Sequence, residues 1–138
     1  MAKLDGIIRF RKWELDEHRR ELALLLDERA QIVETLESLD AEMAAQKSMI
    51  HSDLASVTLG AYIEGARKKR AWIVDAIRSK DQDIEDKQDV VADAFKELKT
   101  FEIAERRQQD RLRQELDRQE QDELDDLGRQ AYANAPAL

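Results

Sequence analysis

His51-Ser-Asp-Leu-Ala-Ser-Val-Thr-Leu-Gly60 separates two long segments that carry the same kind of hydrophobic pattern. The stretch holds three Ser/Thr, one Asp, a β-branched valine and a glycine. Side chains of this kind compete with a helix for backbone hydrogen bonds and favour caps and turns. We therefore expect the chain to reverse direction between about residues 52 and 60, with Thr58 as the N-cap of a second helix.

Upstream of the break, one heptad phase fits from Leu4 to Ile50. Its a positions are Ile8, Leu15, Leu22, Arg29, Leu36, Met43 and Ile50, and its d positions are Leu4, Arg11, His18, Leu25, Ile32, Leu39 and Gln46. This predicts a first helix over about residues 3–51, roughly 70 Å long at ~1.5 Å per residue. Downstream, Ile63, Arg70, Ile77, Ile84, Val91 and Leu98 take a, and Ala66, Ile73, Lys80, Lys87, Ala94 and Phe101 take d. Occupancy is poor beyond Phe101, and Leu112, Leu116, Leu124 and Leu127 no longer keep one phase. The second helix is expected over about 61–128, with 129–138 frayed.

Folding about the break sets residue i against about 112 − i, so Leu4 meets Gln108 and Ile50 meets Tyr62. Residues beyond about 110 are then left without a partner, and a charged helix of about 20 residues overhangs, held only by weak local pairs. A parallel homodimer of one broken helix fits the same heptads. The turn-rich break between two seams favours an all-α antiparallel coiled-coil hairpin, a single domain with the second helix longer.

Composition agrees. Charged residues make up 39% of the 138 and aromatics 5%, with four glycines, one proline and no cysteine, which suits long helices with a thin seam better than a thick core. Lack of cysteine rules out disulfides and thiolate metal sites. No run approaches the ~18 apolar residues of a membrane span, and the N-terminus does not read as a signal peptide, so a cytoplasmic location is expected. The net charge of −8 disfavours nucleic acid.

The charge is segmented: residues 61–80 carry six Lys/Arg against two Asp/Glu, and residues 81–103 carry three against eight. Arg67-Lys-Lys-Arg70 reads either as solvated surface or as a docking patch for an acidic partner. Three aromatics fall off the seam: Phe10 at c, Trp13 at f and Trp72 at c. Exposed aromatics are enriched at interface hot spots, although rings of this kind also fold down over a neighbouring helix.

The sequence holds no phosphate loop, metalloprotease motif or nucleophile elbow. Glu14, Glu17, His18 and Glu21 share one helical face, but dense carboxylates at that spacing are usual on a Glu-rich helix. No catalytic, metal or cofactor residue is expected.

Arg67-Lys-Lys-Arg-Ala-Trp-Ile-Val-Asp-Ala-Ile-Arg78, Phe95-Lys-Glu-Leu-Lys-Thr-Phe101 and on to Glu123-Leu-Asp-Asp126, and the opening Ile7-Ile-Arg-Phe-Arg-Lys-Trp-Glu-Leu-Asp-Glu17 resemble the FliJ family of the bacterial flagellar export apparatus. The resemblance implies a non-enzymatic stalk similar to the γ subunit of rotary ATPases. The partners it implies are the flagellar export ATPase hexamer, the cytoplasmic domain of the export-gate membrane protein, and export chaperones. By that resemblance Phe10, Trp13, Leu112, Leu116, Leu124 and Leu127 meet the ATPase ring, and Lys69, Trp72, Ile73, Ala76 and Lys80 meet the export gate. Lys69 and Lys80 stand where the family can have aromatic or His residues. The place of action would be the cytoplasmic face of the inner membrane, without insertion, in flagellum biogenesis and so in chemotaxis.

Two further readings stay open: the equivalent stalk of a virulence type III secretion system, and a generic structural scaffold. A stalk is expected to be a monomer alone and to stimulate an ATPase. A scaffold self-associates and leaves that ATPase untouched.

Overall fold

The computed structural model describes residues 2–49 and 53–136. They form two helices, α1 (Ala2–Ser48) and α2 (Asp53–Ala133), which pack against each other as an all-α hairpin, with no strand among the described residues. Ion pairs between α1 and α2 within one chain replace the alternative of a broken-helix homodimer.

Helix α2 begins earlier than the sequence suggests: it is already helical from Asp53, and Thr58 lies inside it instead of capping it. Ser, Thr and Gly are weak helix formers, but Leu59 and Ile63 in the same stretch pack into the core, and packing overrides propensity. At the end of α1, Met49 N–H donates to the Gln46 carbonyl at 3.3 Å. Ile50, with its expected contact to Tyr62, and His51 and Ser52 lie outside the described residues. At its other end α2 runs past Gly128 to Ala133. That glycine has no positive φ and so does not terminate the helix, and the last turn closes where Asn134 N–H donates to the Gln130 carbonyl at 2.9 Å.

The chain divides into two compact units: a central one, Trp13–Phe95, and a terminal one of Met1–Lys12 with Lys96–Leu138. The core of the central unit is Leu39, Met43, Ile63, Ala66 and Ile73, with Ile32, Leu36, Leu59 and Ile77 packed against it. Tyr62, at g, also packs against this core; each of the others is an a or d residue. Leu15, Ile84 and Ala94, also buried, hold the same positions. Each large apolar side chain sealed in this way contributes about 1.5–3 kcal/mol.

Basic side chains interrupt the seam, and each reaches an acid on the opposite helix. In the central unit Arg70 Nε donates to Asp40 at 2.9 Å and Lys80 Nζ to Glu28 at 2.6 Å, while Arg29 pairs with Asp81 and Lys87 with Glu21. Lys87 Nζ also lies 3.0 Å from His18 Nδ1. The base always sits at a or d, and the acid at e or g of the facing helix. Hydrogen bonding by Lys87, then its charge, lowers the pKa of Glu21. Asp81 and Asp40 likewise raise the already high pKa values of Arg29 and Arg70.

In the terminal unit Ile8 and Leu98 are buried. Arg11 pairs with Glu97 at 3.0 Å, and its guanidinium lies 5.6 Å from the centre of the Phe101 ring. Facing residues have numbers adding to between 104 (Glu42 with Tyr62) and 112 (Arg11 with Phe101), at or a little below the expected register. Leu4 shares a groove with Ala104, Arg107, Gln108 and Arg111. From Arg106 to Pro136 every residue is exposed.

Candidate docking surfaces

In the central unit, Lys69, Trp72 and Ala76 lie along one side of α2, and all three are exposed. Trp72 is 77% exposed, more than any other large hydrophobic among the described residues of this unit. Ile73, one step round the helix, is buried at 8% and belongs to the core. Lys80 is half-buried and committed to Glu28. The five residues assigned to one contact therefore separate into a presented set (Lys69, Trp72, Ala76) and a supporting pair beneath it. The Arg67–Arg70 tetrad also divides. Arg70 turns to Asp40, Lys68 lies 4.0 Å from Glu64, and Lys69 borders a shallow groove.

That groove, of about 320 Å³, is lined by Leu39, Glu42, Ala61, Tyr62, Gly65 and Ala66 with Lys69. It is open because Gly65 presents no side chain, and a Cβ there would meet nothing within 4 Å. The Tyr62 hydroxyl is sealed beside the Glu42 carboxylate, and burial first, then that carboxylate, pushes its pKa up. The heptad pattern does not mark this groove. The small residues Ala61, Gly65 and Ala66 beside Lys69 were the available signal.

In the terminal unit, Leu112, Leu116, Leu124 and Leu127 are exposed at 39%, 59%, 62% and 60%. At 3.6 residues per turn they fall within an arc of roughly 120°, which continues the stripe that buries Leu98 in the seam. α1 begins at Ala2, and every residue of the chain from Arg106 to Pro136 is exposed. The stripe therefore outruns the helix that would cover it. Phe10, 54% exposed, also belongs to this unit, with the Arg11 guanidinium 5.8 Å from its ring centre. Trp13, 60% exposed, lies in the central unit.

A family model described as Flagellar FliJ protein matches residues 1–137, essentially the whole chain. The chain belongs to the FliJ family. It is thus a protein related to flagellar type III export. No curated protein and no solved structure matches it. Among the described residues of this FliJ-family chain, no helix is long and apolar enough to cross a membrane.

One further feature lies at the open end of the hairpin. Glu105 occupies a seam position, half-buried, where the register brings it to Asp5. Hydrogen bonding with Asp5, followed by burial and the Asp5 charge, raises the pKa of Glu105, and Lys12 opposes this. The other cross-helix contacts at charged seam positions match base to acid. This one matches acid to acid.

Proposed function

We propose that this FliJ-family chain is a non-enzymatic, stalk-like adaptor of flagellar type III export. Its terminal unit engages the ring of the export ATPase through Leu112, Leu116, Leu124 and Leu127, with Phe10 and Trp13 alongside. Its central unit presents Lys69, Trp72 and Ala76 to the cytoplasmic domain of the export-gate protein, with Ile73 and Lys80 holding that face in place. It escorts export chaperones and acts at the cytoplasmic face of the inner membrane without inserting. The observation that carries the reading is the leucine stripe on α2 that extends past the start of α1. Four exposed leucines on a bare helix are costly in water and are kept most easily where another surface receives them.

The test is ATP hydrolysis by the flagellar export ATPase of the same organism, with and without the full chain. Stimulation is expected, and it should disappear when the chain is truncated after Arg111. A full chain that leaves hydrolysis untouched would return the protein to the class of structural scaffolds. Equal stimulation by the truncated chain would move the contact away from the overhang.

A further inference from the structure

The leucine stripe of the overhang carries charge of one sign. At about 100° per residue, the half of α2 centred on the four leucines also holds Asp117, Glu120 and Glu123, with no base between Leu116 and Leu127. Arg118 and Arg129 fall on the opposite half, and Arg129 is already paired with Asp126 at 3.2 Å. Glu120 stands in the middle of the stripe, four residues from Leu116 and from Leu124, with Asp117 and Glu123 three residues to either side. Like charges so close on one helix face repel. All three carboxylates are exposed, and none has an ion pair or hydrogen bond among the described residues. In the seam, by contrast, each base on the apolar stripe is answered by an acid of the facing helix: Arg29 by Asp81, Arg70 by Asp40 and Lys80 by Glu28. The overhang continues that stripe with acids and has no facing helix to answer them.

We propose that the surface receiving the overhang is an apolar groove with lysine or arginine side chains set opposite Glu120 and Glu123, and that these two carboxylates fix how far the overhang enters. The proposal rests on the stalk reading, so the occupant is the inner face of the export ATPase ring. Leu116 and Leu124 lie about 12 Å apart along the helix, and Glu120 between them leaves water once both are received. A carboxylate desolvated without a counter-charge is strongly unfavourable, which disfavours a wholly apolar receiver. A base placed opposite offsets both that desolvation and the repulsion from Asp117 and Glu123. A second copy of this chain would bring the same three acids and only one base on this face, Arg113 at the root, so the stripe does not favour its own kind. The same charge disfavours an anionic lipid surface or a nucleic acid. Among the described residues no group of three acids is placed to hold a metal ion.

Biolayer interferometry between the full chain and the flagellar export ATPase hexamer of the same organism tests this. Glu120→Lys with Glu123→Lys should weaken binding at least about tenfold at low salt. Asp122→Lys with Asp125→Lys makes the same change in net charge on the opposite half of the helix, and it should weaken binding less than about threefold. Both variants should keep the helical circular dichroism and melting midpoint of the wild type, since all four positions are exposed. The gap between the two variants should narrow in ~0.5 M salt, where charges are screened. Equal losses from the two reversals overturn the proposal and leave the stalk reading in place. So does a Glu120→Lys, Glu123→Lys chain that binds as tightly as the wild type or more tightly. A wild type that does not bind the ring at all overturns the stalk reading and the proposal with it.

Discussion

Truncation after Arg111 separates a bare overhang from a packed one, and the size of its effect follows from the exposures and contacts involved. The deleted residues are all exposed where described, and the four leucines lost are 39–62% exposed. Deletion therefore opens no cavity in the seam. The polar contacts removed, Arg129 to Asp126 and Gln121 to Asp125, lie wholly inside the deleted segment, and surface pairs of this kind contribute ~0.2–1 kcal/mol to their own neighbourhood only. The new C-terminus falls at Arg111, with Arg107 one turn before it, and cations there are favoured by the negative end of the helix dipole, which falls off within the last turn. The terms lie within about 1 kcal/mol of zero, so thermal unfolding of a chain of this size should move by less than about 5 °C. The control is Leu98→Ala. Leu98 is only 6% exposed, and emptying its site should cost about 2–4 kcal/mol and lower the midpoint by roughly 8–15 °C.

The assay is far-ultraviolet circular dichroism against temperature, at a concentration low enough to keep the chain monomeric. The truncated chain should lose the helical signal of the deleted turns in proportion to their length and keep its midpoint. A midpoint depressed as far as that of the Leu98 variant would rule out a bare overhang, because it would mean that the segment is packed in solution.

Trp72→Ala should leave the melting curve unchanged, since the ring is mostly exposed, and weaken binding to the export-gate cytoplasmic domain by about 1–2 kcal/mol in calorimetry; equal affinities would remove Trp72 from that surface. Arg29→Leu should raise stability by about 1 kcal/mol in urea unfolding, because an apolar residue at a seam position often outperforms an ion pair; a loss instead would show that the Asp81 pair is a net stabiliser. The raised pKa of Glu105 means that its interaction with Asp5 favours the fold when protonated and loses that benefit as pH rises through the raised pKa. Glu105→Gln should therefore raise the melting midpoint at pH 7 and lose that advantage below about pH 4, the ordinary range of a free glutamate; a gain independent of pH would mean the carboxyl pair is not responsible. Lys87→Met should flatten the acid limb of the stability profile, because the lowered pKa of Glu21 ties part of the stability to its ionised form, lost as pH falls; an unaltered limb would show that the pair contributes nothing.

How much was legible in the sequence varies with the physical origin of each feature. The seam was legible almost in full: Ile8, Leu15, Leu39, Met43, Ile63, Ala66, Ile73, Ile84, Ala94 and Leu98 all lie at positions the heptads single out. Burial on a two-helix seam is set by period, and period is a property of sequence. The boundaries were not legible. Thr58 and Gly60 looked like turn residues by type, but Leu59 and Ile63 pull the same stretch into the core, and that contact exists only once the helices pack. Gly128 looked like a stop and is not, because a glycine ends a helix only where the chain takes up a left-handed conformation. On the docking faces, spacing placed Trp72 correctly outside the seam. Ile73, grouped with Lys69 and Trp72 only by the resemblance, takes the d position that the heptads give it and is buried. The groove at Gly65 was invisible because an absence of side chain carries no periodic signal.

The basic residues in the seam cost stability, and their arrangement explains why they are tolerated. Hydrophobic heptads alone leave an antiparallel hairpin free to slip by seven residues, since a and d then meet a and d again. With charges included, that freedom disappears. A slip of one heptad in either direction would set Arg29 against Gln88 or Val74 instead of Asp81, and Arg70 against Lys47 or Val33 instead of Asp40. Lys80 would meet Thr35 or Glu21, and Arg11 would meet Ala104 or Val90 instead of Glu97. Only Lys87 would find an acid both ways, at Glu28 or Glu14. Four of five pairs thus penalise a slip in at least one direction, which is the best-attested use of polar groups in a coiled-coil seam. In the terminal unit the register held by Arg11 and Glu97 also fixes where α1 stops covering α2. A one-heptad slip would move that point by about 10 Å, drawing it back towards Phe101 or covering Leu112 and Leu116. The length of bare helix offered to a receiver is therefore set by ion pairs in the seam, and a chain selected for hairpin stability alone would have had leucine at those positions.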